Sequence, residues 1–201
     1  MDKKILEHFK KNDPLLYPYA LKIKSIDHYK NGGAKNYFLR LCREIVSQQL
    51  SMKAGETIFN RFKSLFKKGL TPDAILSTSH EKLLSVGMSN SKARYVRNLA
   101  EAVKKGDLDL KKIDRLTDEE IKTQLVRVKG IGPWTAEMFL MFTLLRPDVF
   151  SHGDLGLRKA IKKIYGFKNE PSVRTIERII NKWTPYKTYA SLVLWHSLDE
   201  D

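Results

Sequence analysis

Residues 125–136 read Leu-Val-Arg-Val-Lys-Gly-Ile-Gly-Pro-Trp-Thr-Ala and form the most informative segment of the chain. A helical pattern runs into Gly130 and Gly132, and a proline that suits the first turn of a second helix follows. Glycine permits a positive φ and a close approach to the backbone, while Ile131 between the glycines can anchor the turn in a core. The stretch therefore predicts a hairpin of two helices over about residues 117–144.

The start of the second hairpin helix is suited to an anion. Its first backbone N–H groups have no partner within the helix, and the helix dipole adds partial positive charge there. Lys129 stands beside the turn. A Gly-Ile-Gly tripeptide alone is more often an ordinary connection between helices. The flanking leucine, valine, tryptophan, threonine and alanine make this Gly-Ile-Gly turn a far more specific signal than the tripeptide alone.

Helical periodicity continues along most of the chain, and no stretch alternates as a strand would. One apolar stripe with spacings of three to four is formed by Tyr37, Phe38, Leu41, Cys42, Ile45 and Val46. Thr117 with Glu120 predicts a capping box, and we expect Pro185 in the first turn of a late helix. The sequence predicts an all-α protein of about ten helices, with a softer connection at residues 29–34.

The composition favours a polyanionic partner. The chain has 37 Lys and Arg residues against 23 Asp and Glu, a net charge of +14 at pH 7. Contacts with phosphates release condensed counterions and so draw a basic protein to nucleic acid, although a merely solvated basic surface has the same composition. Cys42 is the single cysteine, which excludes an internal disulfide and a zinc site or iron–sulfur cluster held by four cysteines of this chain.

The sequence carries no sign of a membrane segment. No apolar run reaches the roughly 18 residues that a membrane span needs, and the first residues lack the apolar core of a signal peptide. We therefore expect an intracellular monomer without membrane contact, cytoplasmic or associated with the nucleoid if its source is prokaryotic.

Four blocks of sequence together point to one family. They are residues 45–51 (Ile-Val-Ser-Gln-Gln-Leu-Ser), 128–136, 148–158 (Asp-Val-Phe-Ser-His-Gly-Asp-Leu-Gly-Leu-Arg) and 183–195. Over residues 37–198 the chain resembles the helix-hairpin-helix DNA glycosylase superfamily, and within it the AlkA-type 3-methyladenine DNA glycosylases. The resemblance implies an all-α fold of two helical lobes with the active-site cleft between them.

The resemblance also implies a division of the chain into three segments. Residues 1–36 would form an N-terminal arm that packs with the C-terminal lobe. Residues 37–146 would form the central helical lobe with the hairpin, and residues 147–201 the C-terminal lobe with the catalytic aspartate.

Asp154 stands at the position of the family's catalytic aspartate. Cleavage of an N-glycosidic bond builds positive charge on the sugar, and a fixed carboxylate beside C1′ stabilises that charge and can orient or deprotonate the attacking water. Taken alone, Asp154 is equally well explained as the N-cap of a helix ending near Tyr165, a role that is compatible with catalysis. His152 is more simply structural, since no second metal ligand stands at a suitable spacing.

Two tryptophans match aromatic positions that line the family's base pocket. A flipped base can stack on Trp134 and Trp195, and electron-rich rings attract cationic bases. A helical tryptophan is by itself more often a core residue, and Trp183 is explained in that way. Met138 stands where the AlkA type often has tyrosine and is expected to give the pocket a more pliable wall. Bifunctional members carry a Schiff-base lysine at the position of Trp134, so no lyase activity is expected.

The remaining expected contacts are with the DNA backbone. The hairpin residues Lys129, Gly130, Ile131, Gly132 and Thr135 are expected to hold a phosphate. Gln49 matches the residue that fills the gap left by the flipped nucleotide, although an exposed glutamine at a helix end needs no function. In the family, hairpin carbonyls hold a structural monovalent cation, which would fall on Val126, Val128 and Ile131. No other cofactor is expected.

The sequence thus predicts a monofunctional glycosylase that releases 3-methyladenine or 7-methylguanine from double-stranded DNA in base excision repair. Two alternatives stay open. The same fold can act on another lesion, such as uracil, hypoxanthine or 8-oxoguanine, or the chain can be a non-catalytic DNA-binding module. The carboxylate of Asp154 argues against the second, because simple binding to an anionic backbone does not need it.

Overall fold

The computed structural model describes residues 1–23 and 36–199, and within these ranges the regular structure is entirely helical. The all-α prediction is confirmed. Two more α-helices occur than the ten expected, because segments of six and five residues are too short to show a periodic pattern. The connection expected at residues 29–34 lies outside the described residues. None of the described helices combines the length and the apolar character that crossing a membrane requires.

The helices follow one another with short connections. They are α1 (Lys3–Asn12), α2 (Tyr17–Lys22), α3 (Tyr37–Ser47), α4 (Met52–Ser64), α5 (Pro72–Ser77), α6 (His80–Leu84), α7 (Asn90–Lys105), α8 (Asp118–Val126), α9 (Pro133–Phe142), α10 (Leu155–Ile164), α11 (Val173–Ile180) and α12 (Lys187–Asp199), with 3-10 turns at Ile113–Arg115 and Asn181–Trp183. The chain divides into two compact units. We call Gly33–Phe139 the central unit, and Met1–Gly32 with Leu140–Asp201 the terminal unit.

The central unit is built around the apolar stripe of α3. Phe38, Leu41, Cys42, Ile45 and Val46 are buried, as their spacing predicts, and the helix packs against α4 and α7. Full burial of one such side chain contributes roughly 1.5–3 kcal/mol. Helix α7 also packs against α5 and α6. Gln48 at the end of α3 and Asn98 on α7 hydrogen-bond to the hairpin turn.

The first hairpin helix begins where the sequence predicts. The Thr117 hydroxyl accepts a hydrogen bond from the Glu120 N–H at 3.3 Å, and the Glu120 carboxylate accepts one from the Thr117 N–H at 2.8 Å. These two bonds form the expected capping box. The bond that the carboxylate accepts from the Thr117 N–H, together with one from the Thr117 hydroxyl at 2.7 Å, lowers the pKa of Glu120. The box sets the start of α8 and therefore the position at which the chain enters the turn.

The terminal unit joins the two ends of the chain through a buried carboxylate. Asp13, at the end of α1, is 1% exposed and accepts hydrogen bonds from the Trp183 indole N–H at 2.8 Å and from the Tyr165 hydroxyl. Burial, followed by the bond to Asp13, raises the pKa of Tyr165. Trp183 is fully buried and is a core residue, as expected.

The start of α12 corrects one prediction. Pro185 does not lie in the first turn of a helix: it follows a cis peptide bond, and α12 begins at Lys187. The Lys187 N–H donates to the Asp148 carboxylate at 3.2 Å, and the Thr188 N–H donates to the Pro147 carbonyl at 2.9 Å. Groups distant in sequence thus cap this helix, and a local pattern could not show that.

Candidate functional site

The hairpin turn is closed by a side chain from α7. Gly130 has a φ of +112°, and a Cβ atom built on it would lie 2.3 Å from Cγ of Tyr95. Only glycine accepts both this backbone conformation and this close approach. A Cβ on Gly132 would meet nothing within 4 Å, and its φ is not positive, so neither reason applies there. Ile131 is 3% exposed and anchors the turn, as predicted.

Two amide side chains hold the carbonyls of the turn. The Gln48 amide donates to the Gly130 carbonyl at 3.0 Å and to the Thr135 hydroxyl at 3.2 Å. The Asn98 amide donates to the Lys129 carbonyl at 3.0 Å. Because a peptide group is planar, fixing its carbonyl also fixes the direction of its N–H. These bonds therefore hold the turn in one orientation.

Sequence reasoning did not single out Gln48 or Asn98. The only available signal was the position of Gln48 next to Gln49 in residues 45–51. Thr135 has a buried hydroxyl engaged by Gln48, so any contact that it makes with a phosphate would go through its backbone N–H. Its predicted role stays a prediction, as does that of the exposed Lys129.

An open cavity of about 740 Å³ lies beside the turn within the central unit. Its walls include several residues singled out in the sequence, namely Gln49, Gly130, Ile131, Gly132, Trp134 and Thr135. Trp134 is 42% exposed, so part of its ring is accessible to a ligand in the cavity. The cavity thus unites the predicted wedge, the predicted phosphate site and one predicted base-stacking residue.

Gln49 has an uncommon backbone conformation. It lies two residues after the end of α3, is exposed, and has a φ of +56°. A residue other than glycine in the left-handed region costs on the order of 1–3 kcal/mol, and such residues concentrate at functional sites. The conformation fits a residue held at the cavity wall for contact with a partner, and its wedge role stays a prediction.

Two other predictions for the hairpin are not placed in this cavity. Met138 is 5% exposed and is not among the residues that line it. Of the carbonyls expected to hold a cation, that of Val128 accepts a hydrogen bond from the Ile131 N–H at 2.9 Å. A carbonyl has a second lone pair, so the donor set still suits a weakly bound monovalent cation. Both roles stay predictions.

Asp154 is the N-cap of α10 in the terminal unit, as expected. Its Oδ1 accepts a hydrogen bond from the Leu157 N–H at 2.9 Å and a second from the Trp195 indole N–H at 3.2 Å. The side chain is half-buried. Both bonds fix the carboxylate in one orientation, which is what an electrostatic stabiliser of a reaction requires. Trp195 is therefore a partner of the predicted catalytic group.

Gly156 makes room for this pair, and sequence reasoning did not identify it. A Cβ on Gly156 would lie 3.1 Å from Asp154 Oδ1 and 3.3 Å from Cδ1 of Trp195. Glycine inside a helix costs roughly 0.5–1 kcal/mol relative to alanine. A glycine in the first turn of a helix, two residues after a candidate catalytic carboxylate, was the signal that could have revealed it.

The side chain of His152 contacts other side chains of the terminal unit. Its Nε2 lies 3.2 Å from Oε1 of Glu177, and its ring packs edge-on against Phe150 at a centroid distance of 5.1 Å. Among residues 1–23 and 36–199, no group of three or more His, Cys, Asp or Glu side chains is arranged to hold a metal ion. The contacts agree with the structural interpretation of His152.

The family follows from a match over most of the chain. Residues 42–186 match the model of the HhH-GPD superfamily of base excision DNA repair proteins. The chain belongs to this superfamily. The matched range includes the hairpin of the central unit and Asp154 of the terminal unit.

Two relatives of this HhH-GPD chain carry DNA-3-methyladenine glycosylase in their names. DNA-3-methyladenine glycosylase 1 of Schizosaccharomyces pombe is 33% identical over 179 residues, which cover 86% of this chain and 78% of that protein. YfjP of Bacillus subtilis is 33% identical over 162 residues, and the match covers 77% of this chain but only 56% of YfjP. The structure of S. pombe Mag1 in complex with abasic DNA superposes with a TM-score of 0.83 at 30% identity, covering 98% of this chain and 97% of Mag1.

The two hairpin glycines allow a matched test. We expect Gly130→Ala to lower the free energy of unfolding by about 1–3 kcal/mol, because alanine is strained at a positive φ and its Cβ collides with Tyr95. Gly132→Ala should leave stability within about 0.5 kcal/mol and instead weaken binding to duplex DNA, since its Cβ would project into the predicted phosphate site. Chemical unfolding and duplex titration measure the two effects. Equal losses of stability in the two variants would show that the contact with Tyr95 is not what requires glycine at position 130.

Proposed function

We propose that this protein is a monofunctional DNA glycosylase that hydrolyses the N-glycosidic bond of alkylated purines in double-stranded DNA. The observation that carries the proposal is Asp154, whose carboxylate is held by the Leu157 N–H and the Trp195 indole in a chain of the HhH-GPD superfamily. A non-catalytic DNA-binding module needs no carboxylate fixed in this way. The names of the S. pombe relative and of the Mag1 complex support the same reaction.

The carboxylate of Asp154 supplies the electrostatics of the reaction. As the C1′–N bond breaks, its electron pair leaves with the base and positive charge develops on the sugar, which the fixed anion stabilises. The oxygen of a water molecule then bonds to C1′, and its proton passes to Asp154 or to solvent. The product is a free base and an abasic sugar in an unbroken strand.

Alkylated purines suit this chemistry better than neutral bases. A base made cationic by alkylation leaves as a neutral molecule, so the enzyme does not have to donate a proton to it. The exposed ring of Trp134 offers a stacking face, and cation–π attraction contributes roughly 0.5–2 kcal/mol for a cationic base. We therefore place 3-methyladenine and 7-methylguanine ahead of uracil, hypoxanthine and 8-oxoguanine. The alternative lesions within the same fold are ranked second.

Duplex DNA is the proposed partner, and the central unit carries the features that would hold it. The turn at Gly130–Gly132 would bind a backbone phosphate through main-chain N–H groups, and Gln49 would fill the gap left by the flipped nucleotide. A net charge of +14 favours this partner over a neutral one. Action on the genome implies an intracellular location, and a monomer suffices because one chain carries every proposed residue.

The test is a panel of duplexes, each with one lesion. We expect 3-methyladenine or 7-methylguanine to be released faster than uracil or 8-oxoguanine, leaving a strand that breaks only after alkali treatment. Borohydride should not trap the protein on DNA, because tryptophan at position 134 cannot form the Schiff base that lysine forms in bifunctional relatives. Product analysis by gel and by chromatography of the free base gives both results.

Each contrary result has a specific meaning. Robust uracil release without release of methylated purines would reverse the ranking in favour of the second candidate. Trapping above background would contradict the monofunctional assignment. Binding to every duplex without release of any base would support the non-catalytic module.

A further inference from the structure

Among the described residues, Lys92 is the only charged one that lines the cavity beside the hairpin turn. It lies in the first turn of α7, where its backbone N–H donates to the Ser89 cap at 3.3 Å, and its side chain is half-buried. Sequence analysis singled out Lys129 as the cation next to the turn. The tertiary structure instead brings Lys92 to the same cavity as Gly130 and Gly132.

The charge of Lys92 has no compensation from the protein. Within the described part of the chain no carboxylate pairs with it, and partial loss of hydration lowers the pKa of its amine. Two lysines at the other end of α7 are different: Lys104 lies 2.6 Å from Asp73, and Lys105 lies 3.7 Å from Glu101.

The rest of the cavity wall is chemically matched to an anion. Ser89 and Ser91 contribute hydroxyl groups, and the hairpin turn contributes main-chain N–H groups. A partly desolvated cation among neutral hydrogen-bond donors recovers its lost solvation when an anion enters. An ammonium group acts on a phosphate as a point charge without demanding one geometry, which suits a backbone rather than a base edge.

We propose that Lys92 is a phosphate ligand of the hairpin cavity and contacts a backbone phosphodiester of bound DNA. The inference rests on the proposed function for the identity of the ligand. It adds a side-chain cation from α7 to a site that otherwise depends on the main-chain groups of the turn. Binding would then engage two elements that are far apart in the sequence and held together by the packing of Tyr95 under Gly130.

The test uses two matched substitutions on one helix. Each removes one positive charge from α7: Lys92→Gln removes the cavity lysine, and Lys104→Gln removes a lysine that Asp73 already neutralises. Affinity for an undamaged duplex is measured across a range of salt concentrations. We expect Lys92→Gln to bind about tenfold more weakly at low salt, as for one charge-assisted contact, and to reduce the slope of log K against log salt by roughly 0.9. Lys104→Gln should keep both the affinity and the slope.

A second substitution separates charge from structure. Lys92→Arg keeps the cation and should keep the slope, so a loss of slope in Lys92→Gln alone cannot come from a damaged fold. An unchanged slope in Lys92→Gln would overturn the proposal. A loss of affinity that depends on base sequence, with the slope unchanged, would also overturn it, because Lys92 would then contact a base edge.

Failure of this inference can be told from failure of the proposed function. Release of 3-methyladenine by the unmodified protein is measured on the same preparations. If the unmodified protein releases 3-methyladenine and Lys92→Gln has the same slope of log K against log salt, only this inference is contradicted. The other outcome is a smaller slope in Lys92→Gln together with no release of any alkylated base by the unmodified protein. It would contradict the proposed function and support the phosphate contact.

Discussion

Asp154→Asn is expected to reduce base release by at least ~10²-fold while DNA binding stays intact or becomes tighter. The substitution removes the anion that stabilises the sugar cation and also a charge that repels phosphate. Asparagine is as good an N-cap as aspartate, so its amide oxygen can still accept the bonds from the Leu157 N–H and the Trp195 indole. The fold should therefore persist. Single-turnover release of 3-methyladenine with enzyme in excess measures the effect.

Asp148→Asn is the matched control for this experiment. Asp148 belongs to the same block of sequence and also accepts a helix N–H, that of Lys187 at 3.2 Å, but it has no contact with Asp154 or Trp195 in the described structure. Its replacement should change release by no more than a few-fold. Full turnover by Asp154→Asn would remove Asp154 from the mechanism. An equal loss in both variants would indicate a general effect of charge on this block.

Trp195→Ala should lower alkylbase release by about 10²-fold, and Trp195→Phe by about tenfold. Alanine loses an aromatic face, which is worth roughly 1–3 kcal/mol when a base stacks on it, and also the N–H that donates to Asp154 Oδ1 at 3.2 Å. Phenylalanine keeps a face and loses only the N–H, a bond to a charged group worth about 1.5–3 kcal/mol. Affinity for undamaged duplex should change little in either variant.

The order of the two Trp195 variants is the informative result. Equal losses would mean that the bond to Asp154 carries the whole effect and that the ring does not stack on the base. Loss in the alanine variant with full activity in the phenylalanine variant would mean the reverse. Activity of both at the level of the unmodified protein would contradict either role. Thermal unfolding of both variants checks that the packing of Trp195 against Phe142, at a centroid distance of 5.9 Å, is not the cause.

Features that depend on neighbours along the chain were predictable from the sequence. The capping box of Thr117 and Glu120, the start of α9 at Pro133 and the N-cap role of Asp154 each involve residues within a few positions of one another. Such local interactions leave a readable pattern. The family match in turn depends on short blocks whose order along the chain is visible without a structure.

Contacts between residues distant in sequence became visible only in the folded chain. The Asp154–Trp195 bond joins residues 41 positions apart, and the Gln48–Gly130 bond joins residues 82 apart. The place of Lys92 in the hairpin cavity likewise follows from how α7 packs and from no local pattern. The same reason explains the wrong expectation for Pro185, because a helix start capped by residues from another segment carries no local signature. Periodicity states which face of a helix is buried, and only packing states what that face meets.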